Sequence, residues 1–283
     1  MKKRIITAIF VLLIFVPTLI FSGSPALPIV MAICSALSVY ELFACVGYQK
    51  AVAFFLPFYA VALGFPFFAR YCKDISLILK VTVGLSILLV LYGFAVVLFS
   101  HGKYTVENMA MVELGCFYAL AGFNAMIVMR DYFSGGAYLL PLVFIGAWIT
   151  DVFAYFCGLL FGRGGKHKLI PDVSPKKTVE GSIGGIVFCT VAVTLYGFLI
   201  ARFVPEVVSS TKLWIAILLG IFLSIVSQVG DLSMSLVKRH YGIKDFGKVF
   251  PGHGGMLDRF DSVIAVSAAL FVFCAFFNFF EVG

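Results

Sequence analysis

The residues best suited to chemistry crowd the last third of this 283-residue chain. One apolar run closes as Ser227-Gln228-Val229-Gly230-Asp231-Leu232-Ser233-Met234-Ser235-Leu236-Val237-Lys238-Arg239. Asp231, Ser235 and Arg239 are spaced i, i+4, i+8, which puts a carboxylate, a hydroxyl and a guanidinium on one face of a helix. A polar stretch follows, with Lys244-Asp245-Phe246-Gly247-Lys248 and then Pro251-Gly252-His253-Gly254-Gly255. The glycines around His253 let backbone N–H groups approach a ligand closely. The stretch ends in Met256-Leu257-Asp258-Arg259-Phe260-Asp261-Ser262, where Asp258 and Asp261 are i, i+3. Three carboxylates from two helix ends thus meet amid lysine and arginine. Carboxylates with room for water suit Mg²⁺, and Mg²⁺ suits a nucleoside triphosphate. The plainer alternative is a set of surface ion pairs at helix ends, which the interleaved glycines disfavour. His253 is read as a phosphate contact or loop organiser, not as a metal ligand.

Further polar residues lie upstream. Asp151 sits inside the apolar run Trp148-Ile149-Thr150-Asp151-Val152-Phe153-Ala154-Tyr155, roughly 15 Å of helix from Phe161. A carboxylate there is costly unless it is paired or faces a wet cavity; a site role is favoured over a pairing with a Lys or Arg of another span. Glu41 and Glu113 pose the same question in weaker context and are read as structural. Ser174-Pro175-Lys176-Lys177-Thr178-Val179-Glu180-Gly181 combines a stiff Pro175 turn, two ammonium groups, a hydroxyl and a helix start at 182, which together could cradle an anion. An ordinary basic loop touching lipid headgroups explains it equally well. Gly162-Arg163-Gly164-Gly165-Lys166-His167 fails the phosphate-loop pattern, because Leu160 and His167 stand where a glycine and a Ser/Thr belong.

The elements that must position these groups are membrane helices. The chain is 62% hydrophobic and 12% charged, with a mean hydropathy of +1.08. A soluble domain is about half apolar and about a quarter charged, so this chain needs lipid as its solvent. Spans of about 20 apolar residues fit at 5–21, 26–46, 51–69, 75–99, 109–129, 137–161, 182–202, 213–237 and 262–280. The expected fold is an all-α polytopic integral membrane protein of about nine transmembrane helices. Met1-Lys2-Lys3-Arg4 and the run after it read as an uncleaved first span, since Phe21-Ser22-Gly23-Ser24-Pro25 is a poor cleavage site. Most of the 21 lysines and arginines fall on the N-terminal side of the membrane when the spans are counted off. This predicts the N-terminus inside, with segments 162–181 and 238–261 both facing the cytosol. Residues 1–135 read as scaffold or oligomerisation spans and 136–283 as the catalytic region. Seven scattered cysteines without a C-x-x-C pair argue for small buried hydrophobes, not for a disulfide framework or a zinc site. The net charge of +7 suggests anionic lipid or anionic substrate, and no nucleic-acid partner is expected.

The spacing from Ser235-x-Val237-Lys238-Arg239 through Lys244-Asp245 to Pro251-Gly252-His253-Gly254-Gly255-Met256-Leu257-Asp258-Arg259-Phe260-Asp261 resembles the signature of the phosphatidate cytidylyltransferase (CDP-diacylglycerol synthase) family. Ser174-Pro175-Lys176-Lys177-Thr178-x-Glu180-Gly181 and Asp151-x-x-Ala154-Tyr155 match two further blocks of that family. Thr150 and Val179 depart from it, where Asn or Asp and Trp are frequent. The resemblance implies transfer of the cytidylyl group of CTP to phosphatidate, with release of pyrophosphate. It implies Mg²⁺ at Asp231 and Asp258 with Asp261 adjacent, a helper monovalent cation such as K⁺, and a homodimer. It puts Lys238 and Arg239 in the catalytic set, and Ser174, Lys176, Lys177, Thr178, Glu180, Ser235, Lys244, His253, Gly254, Arg259 and Asp151 around the substrates. A bacterial inner membrane suits the short chain. The rival readings are a CTP-dependent polyprenol or lipid kinase and a transporter. Polar groups gathered at one membrane face argue against the transporter, whose site would sit near the midplane.

Overall fold

An apolar segment crossing lipid must satisfy its own N–H and C=O groups, and the α-helix does this within one segment. The computed structural model describes residues 13–51, 55–162, 167–205, 212–250, 252 and 254–280. Its helices are α1 (Ala26–Cys45), α2 (Leu56–Tyr71), α3 (Ile75–Phe99), α4 (Val106–Tyr132), α5 (Gly136–Phe161), α6 (Val179–Phe203), α7 (Leu213–His240) and α8 (Leu257–Phe276). Residues 13–20 are helical as well. All of the named helices but α2 are long and apolar enough to cross a membrane. At 16 residues, α2 rises roughly 24 Å, short of the ~30 Å hydrocarbon core. The chain is therefore an all-α, multi-pass membrane protein. Residues 5–12 of the first expected span lie outside the described residues.

Three boundaries beside the polar segments differ from the sequence reading. α6 starts at Val179, not 182, because the Thr178 side chain accepts the Gly181 N–H at 3.2 Å and caps the helix. α8 starts at Leu257, not 262, so Asp258 and Asp261 both lie within the helix. α7 runs on to His240. The segment expected as a loop with a Pro175 turn holds an antiparallel hairpin, β1 (Lys168–Ile170) and β2 (Ser174–Thr178), in register Lys168↔Thr178 and Ile170↔Ser174. Pro175 is tolerated inside β2 because every strand of a two-stranded ribbon is an edge. α5 contains a π-helical turn at Ile145–Ile149, immediately before Thr150 and Asp151. Such turns cluster at functional positions.

The chain divides into two compact units, Met1–Val128 with Tyr241–Arg259, and Met129–His240 with Phe260–Gly283. In the first, α1 packs on α2, and Phe43 stacks on Phe55 at 4.0 Å and meets Phe58 edge-on at 5.5 Å. The Tyr48 hydroxyl accepts from the Thr105 N–H at 3.0 Å, and Tyr241 donates to Asn108 Oδ1 at 3.1 Å. In the second unit, α5 packs along α6 and α6 along α7. Lipid tails are as apolar as leucine, so helices in a bilayer gain mainly by close contact, which small residues permit. A Cβ on Gly181 would stand 2.4 Å from the Ala154 carbonyl oxygen, and one on Gly184 would stand 2.4 Å from Cys157 Cβ and Sγ. Ile183, Val187, Val191 and Leu195 of α6 are exposed.

Gly184→Val should therefore wedge α5 from α6 and destabilise by about 1–3 kcal/mol. Thermal unfolding in detergent should show a lower midpoint for this variant and none of that loss for Val187→Leu on the exposed face. Equal midpoints for all three proteins would rule out the close α5–α6 contact.

Candidate functional site

Within the second unit, three helices each bring a carboxylate to one polar cluster: Asp151 from α5, Asp231 from α7 and Asp261 from α8. Asp261 lies within electrostatic reach of Asp231, Asp151 and Lys238, and Asp151 within reach of Asp231 and Lys177. Lys177 Nζ meets Asp231 Oδ2 at 2.5 Å, while Asp231 Oδ1 accepts from Ser235 Oγ at 3.4 Å. The i, i+4 face read from the sequence is thus present on α7. Asp151 Oδ2 accepts from Ser262 Oγ at 3.4 Å, and Asp261 Oδ1 accepts the Ser262 N–H at 2.8 Å. Asp261 and Lys238 are both buried, each 8% exposed.

Deeper between the helices the polar lining continues. Thr150 Oγ1 donates to Ser224 Oγ at 3.0 Å, and Gln228 Nε2 to the Ser182 carbonyl at 3.4 Å. Asp151 itself faces Asp231, Lys177 and Ser262.

The hairpin separates the two lysines that the sequence pairs. β2 takes four steps between its paired residues where β1 takes two, a bulge; half-buried Lys177 reaches Asp231 while Lys176 is exposed. The hydroxyl of Thr178 caps α6. Ser174 is half-buried, and Glu180 Oε1 lies 2.5 Å from His167 Nδ1. Exposed Arg239 donates from Nε to the Val173 carbonyl at 3.4 Å, tying the hairpin turn to the end of α7. Arg163 and Lys166 fall outside the described residues.

The glycine-rich stretch belongs to the first unit, and its amides turn inward. Asp258 Oδ2 accepts the N–H groups of Phe246 and Gly255, both at 2.8 Å. Met256 and Leu257 donate their N–H groups to Glu41 on α1, at 2.7 Å and 2.9 Å. Of the glycine amides around His253 that the sequence offered to a ligand, that of Gly255 is held by the protein's own Asp258. Gly254 adopts φ +87° and pairs with Phe250. Lys244 and Arg259 are exposed; His253 and Pro251 lie outside the described residues. Glu41, read from the sequence as structural, is the acid that holds the Met256 and Leu257 amides. Its signal was its chemistry alone, an acid inside an apolar span.

Among the described residues no three His, Cys, Asp or Glu side chains converge on a common metal position. Mg²⁺, however, is commonly held through one or two carboxylates, with waters and substrate phosphates completing its shell. Three carboxylates beside the ammonium groups of Lys177 and Lys238 leave an excess of negative charge, and every carboxylate donor is a hard oxygen. The donor chemistry fits Mg²⁺.

A family model described as the cytidylyltransferase family matches residues 2–277. A phosphatidate cytidylyltransferase of Staphylococcus haemolyticus is 34% identical over 268 residues, covering 94% of this chain and 96% of that protein. The Bacillus subtilis protein of the same name is 35% identical over 199 residues, 70% of each chain. That of Staphylococcus aureus strain COL is 33% identical over 266 residues, 94% of this chain and 96% of the relative.

The Lys177–Asp231 contact yields a prediction. Both side chains keep about a quarter of their surface exposed, at 23% and 26%. Lys177→Met should then cost about 1–2 kcal/mol, less than breaking a fully buried pair. Asp231→Asn added to it should recover most of that loss, because the repulsion left among the three acids falls. Thermal midpoints in a double-mutant cycle measure the coupling; strictly additive losses would mean the two groups do not sense each other.

Proposed function

The chain belongs to the cytidylyltransferase family, and from that premise we propose that it transfers the cytidylyl group of CTP to phosphatidate, giving CDP-diacylglycerol and pyrophosphate. The observation that carries the reading is the cluster of Asp151, Asp231 and Asp261 with Lys177 and Lys238, in a chain similar over most of its length to phosphatidate cytidylyltransferases.

The phosphate oxygen of phosphatidate is anionic near neutral pH and attacks the α-phosphorus of CTP. The new P–O bond forms as the bond to the pyrophosphate oxygen breaks, and the electron pair leaves with pyrophosphate. No general base is required. The obstacle is the approach of two polyanions, so catalysis rests on positioning and on electrostatic stabilisation. Lys177 and Lys238 supply positive charge within the cluster, and Lys176 and Arg239 supply it at the exposed hairpin and helix end. Asp151 and its hydroxyl partner Ser262 give the lipid headgroup a polar wall, while the acyl chains stay in the bilayer. Mg²⁺, when bound, neutralises phosphate charge and favours the leaving group. Asp231 and Asp261 are the carboxylates proposed to hold it, and Asp258 joins them on resemblance alone. A monovalent cation and a homodimer are carried over on the same ground. The proposed setting is a bacterial inner membrane, with the N-terminus and the active site facing the cytosol.

Asp231→Asn and Asp261→Asn should each lower phosphatidate-dependent pyrophosphate release on the order of 100-fold or more, with membrane insertion intact. The assay uses radiolabelled CTP and phosphatidate in detergent, with and without Mg²⁺. Release of CDP with a phosphorylated lipid would make the chain a kinase, and full activity in both variants would end the metal assignment.

A further inference from the structure

The entry to α8 is held from 215 residues away. The first N–H groups of a helix have no partner within it, and a residue next to the helix usually caps them. Here Glu41, fully buried on α1, accepts the Met256 N–H at Oε1 and the Leu257 N–H at Oε2. A carboxylate at this end also complements the helix dipole. The contact is tight by construction. A Cβ on Gly255 would lie 2.3 Å, and one on Gly247 2.5 Å, from Glu41 Oε1. Two acceptors on two successive donors fix the position of the helix start and its rotation about the axis, whereas one acceptor would leave the rotation free. Asp258 follows Leu257 directly, and Asp261 comes one turn later on α8.

We infer that Glu41 is a positioning residue for cytidylyl transfer: through its two-point hold on Met256 and Leu257 it sets the direction in which the first turn of α8 presents Asp258. The inference rests on the reaction proposed above. It gives the N-terminal spans a part in the chemistry, beyond that of scaffold.

Two variants disturb the hold differently. Glu41→Gln keeps one acceptor and turns an NH₂ toward an amide N–H. Gly255→Ala leaves the charge unchanged and pushes the loop off the carboxylate. In purified full-length protein, kcat per folded molecule should fall roughly 100-fold in each, while KM for CTP stays within about threefold, the pattern of lost transition-state geometry. Amide hydrogen exchange should quicken across residues 255–262. A lower melting midpoint with unchanged kcat in both would reduce Glu41 to a structural residue and overturn the inference. If the wild-type protein itself releases no pyrophosphate, the parent reading fails separately. Exchange then decides alone: unchanged protection of 255–262 in both variants refutes the hold, and faster exchange sustains it.

Discussion

A carboxylate inside a bilayer-crossing helix has no bulk water to solvate it, and removing an ion from water costs several kcal/mol even after relaxation. The protein meets this constraint in two ways. Asp231 faces an ammonium group, that of Lys177, within a cluster that also includes Asp151, Asp261 and Lys238. Glu41 and Asp258 each accept two backbone N–H groups. The first arrangement balances charge with side chains, which can rotate. The second fixes charges in place, since an amide N–H in a helix start cannot swing away. The two groups of acids are thus told apart by what solvates them.

That difference gives two glycines a use that the sequence did not suggest. Glycines next to a histidine read as places where backbone approaches a ligand closely. In the fold, the absence of side chains at Gly247 and Gly255 makes room for the Glu41 carboxylate. Phe246, Gly255, Met256 and Leu257 are held by internal carboxylates at the entry to α8.

Much of this was legible in the sequence because it is local. Hydropathy located the membrane helices, and the i, i+4 spacing put Ser235 beside Asp231. The i, i+3 spacing of Asp258 and Asp261 was read correctly, although the helix carrying them begins at Leu257, five residues earlier than apolarity alone suggested. Polar residues in a first turn look like loop to a hydropathy reading, and the same error set the start of α6 late by three residues. The β1–β2 hairpin was hidden because short strands are defined by their pairing, and Pro175 signalled a turn. The partner of Glu41 could not be read at all: no local pattern links α1 to a backbone amide more than two hundred residues away. The division of the signature between two compact units is likewise a property of the packed chain.

The hairpin carries one more consequence. β1 covers two steps between its paired residues while β2 covers four, so β2 bulges where its two lysines stand. A bulge re-aims a side chain, and here Lys177 turns toward Asp231 while its neighbour Lys176 stays exposed. The orientation of the half-buried lysine is thus tied to an irregular pairing of a five-residue strand in a protein otherwise governed by helical periodicity.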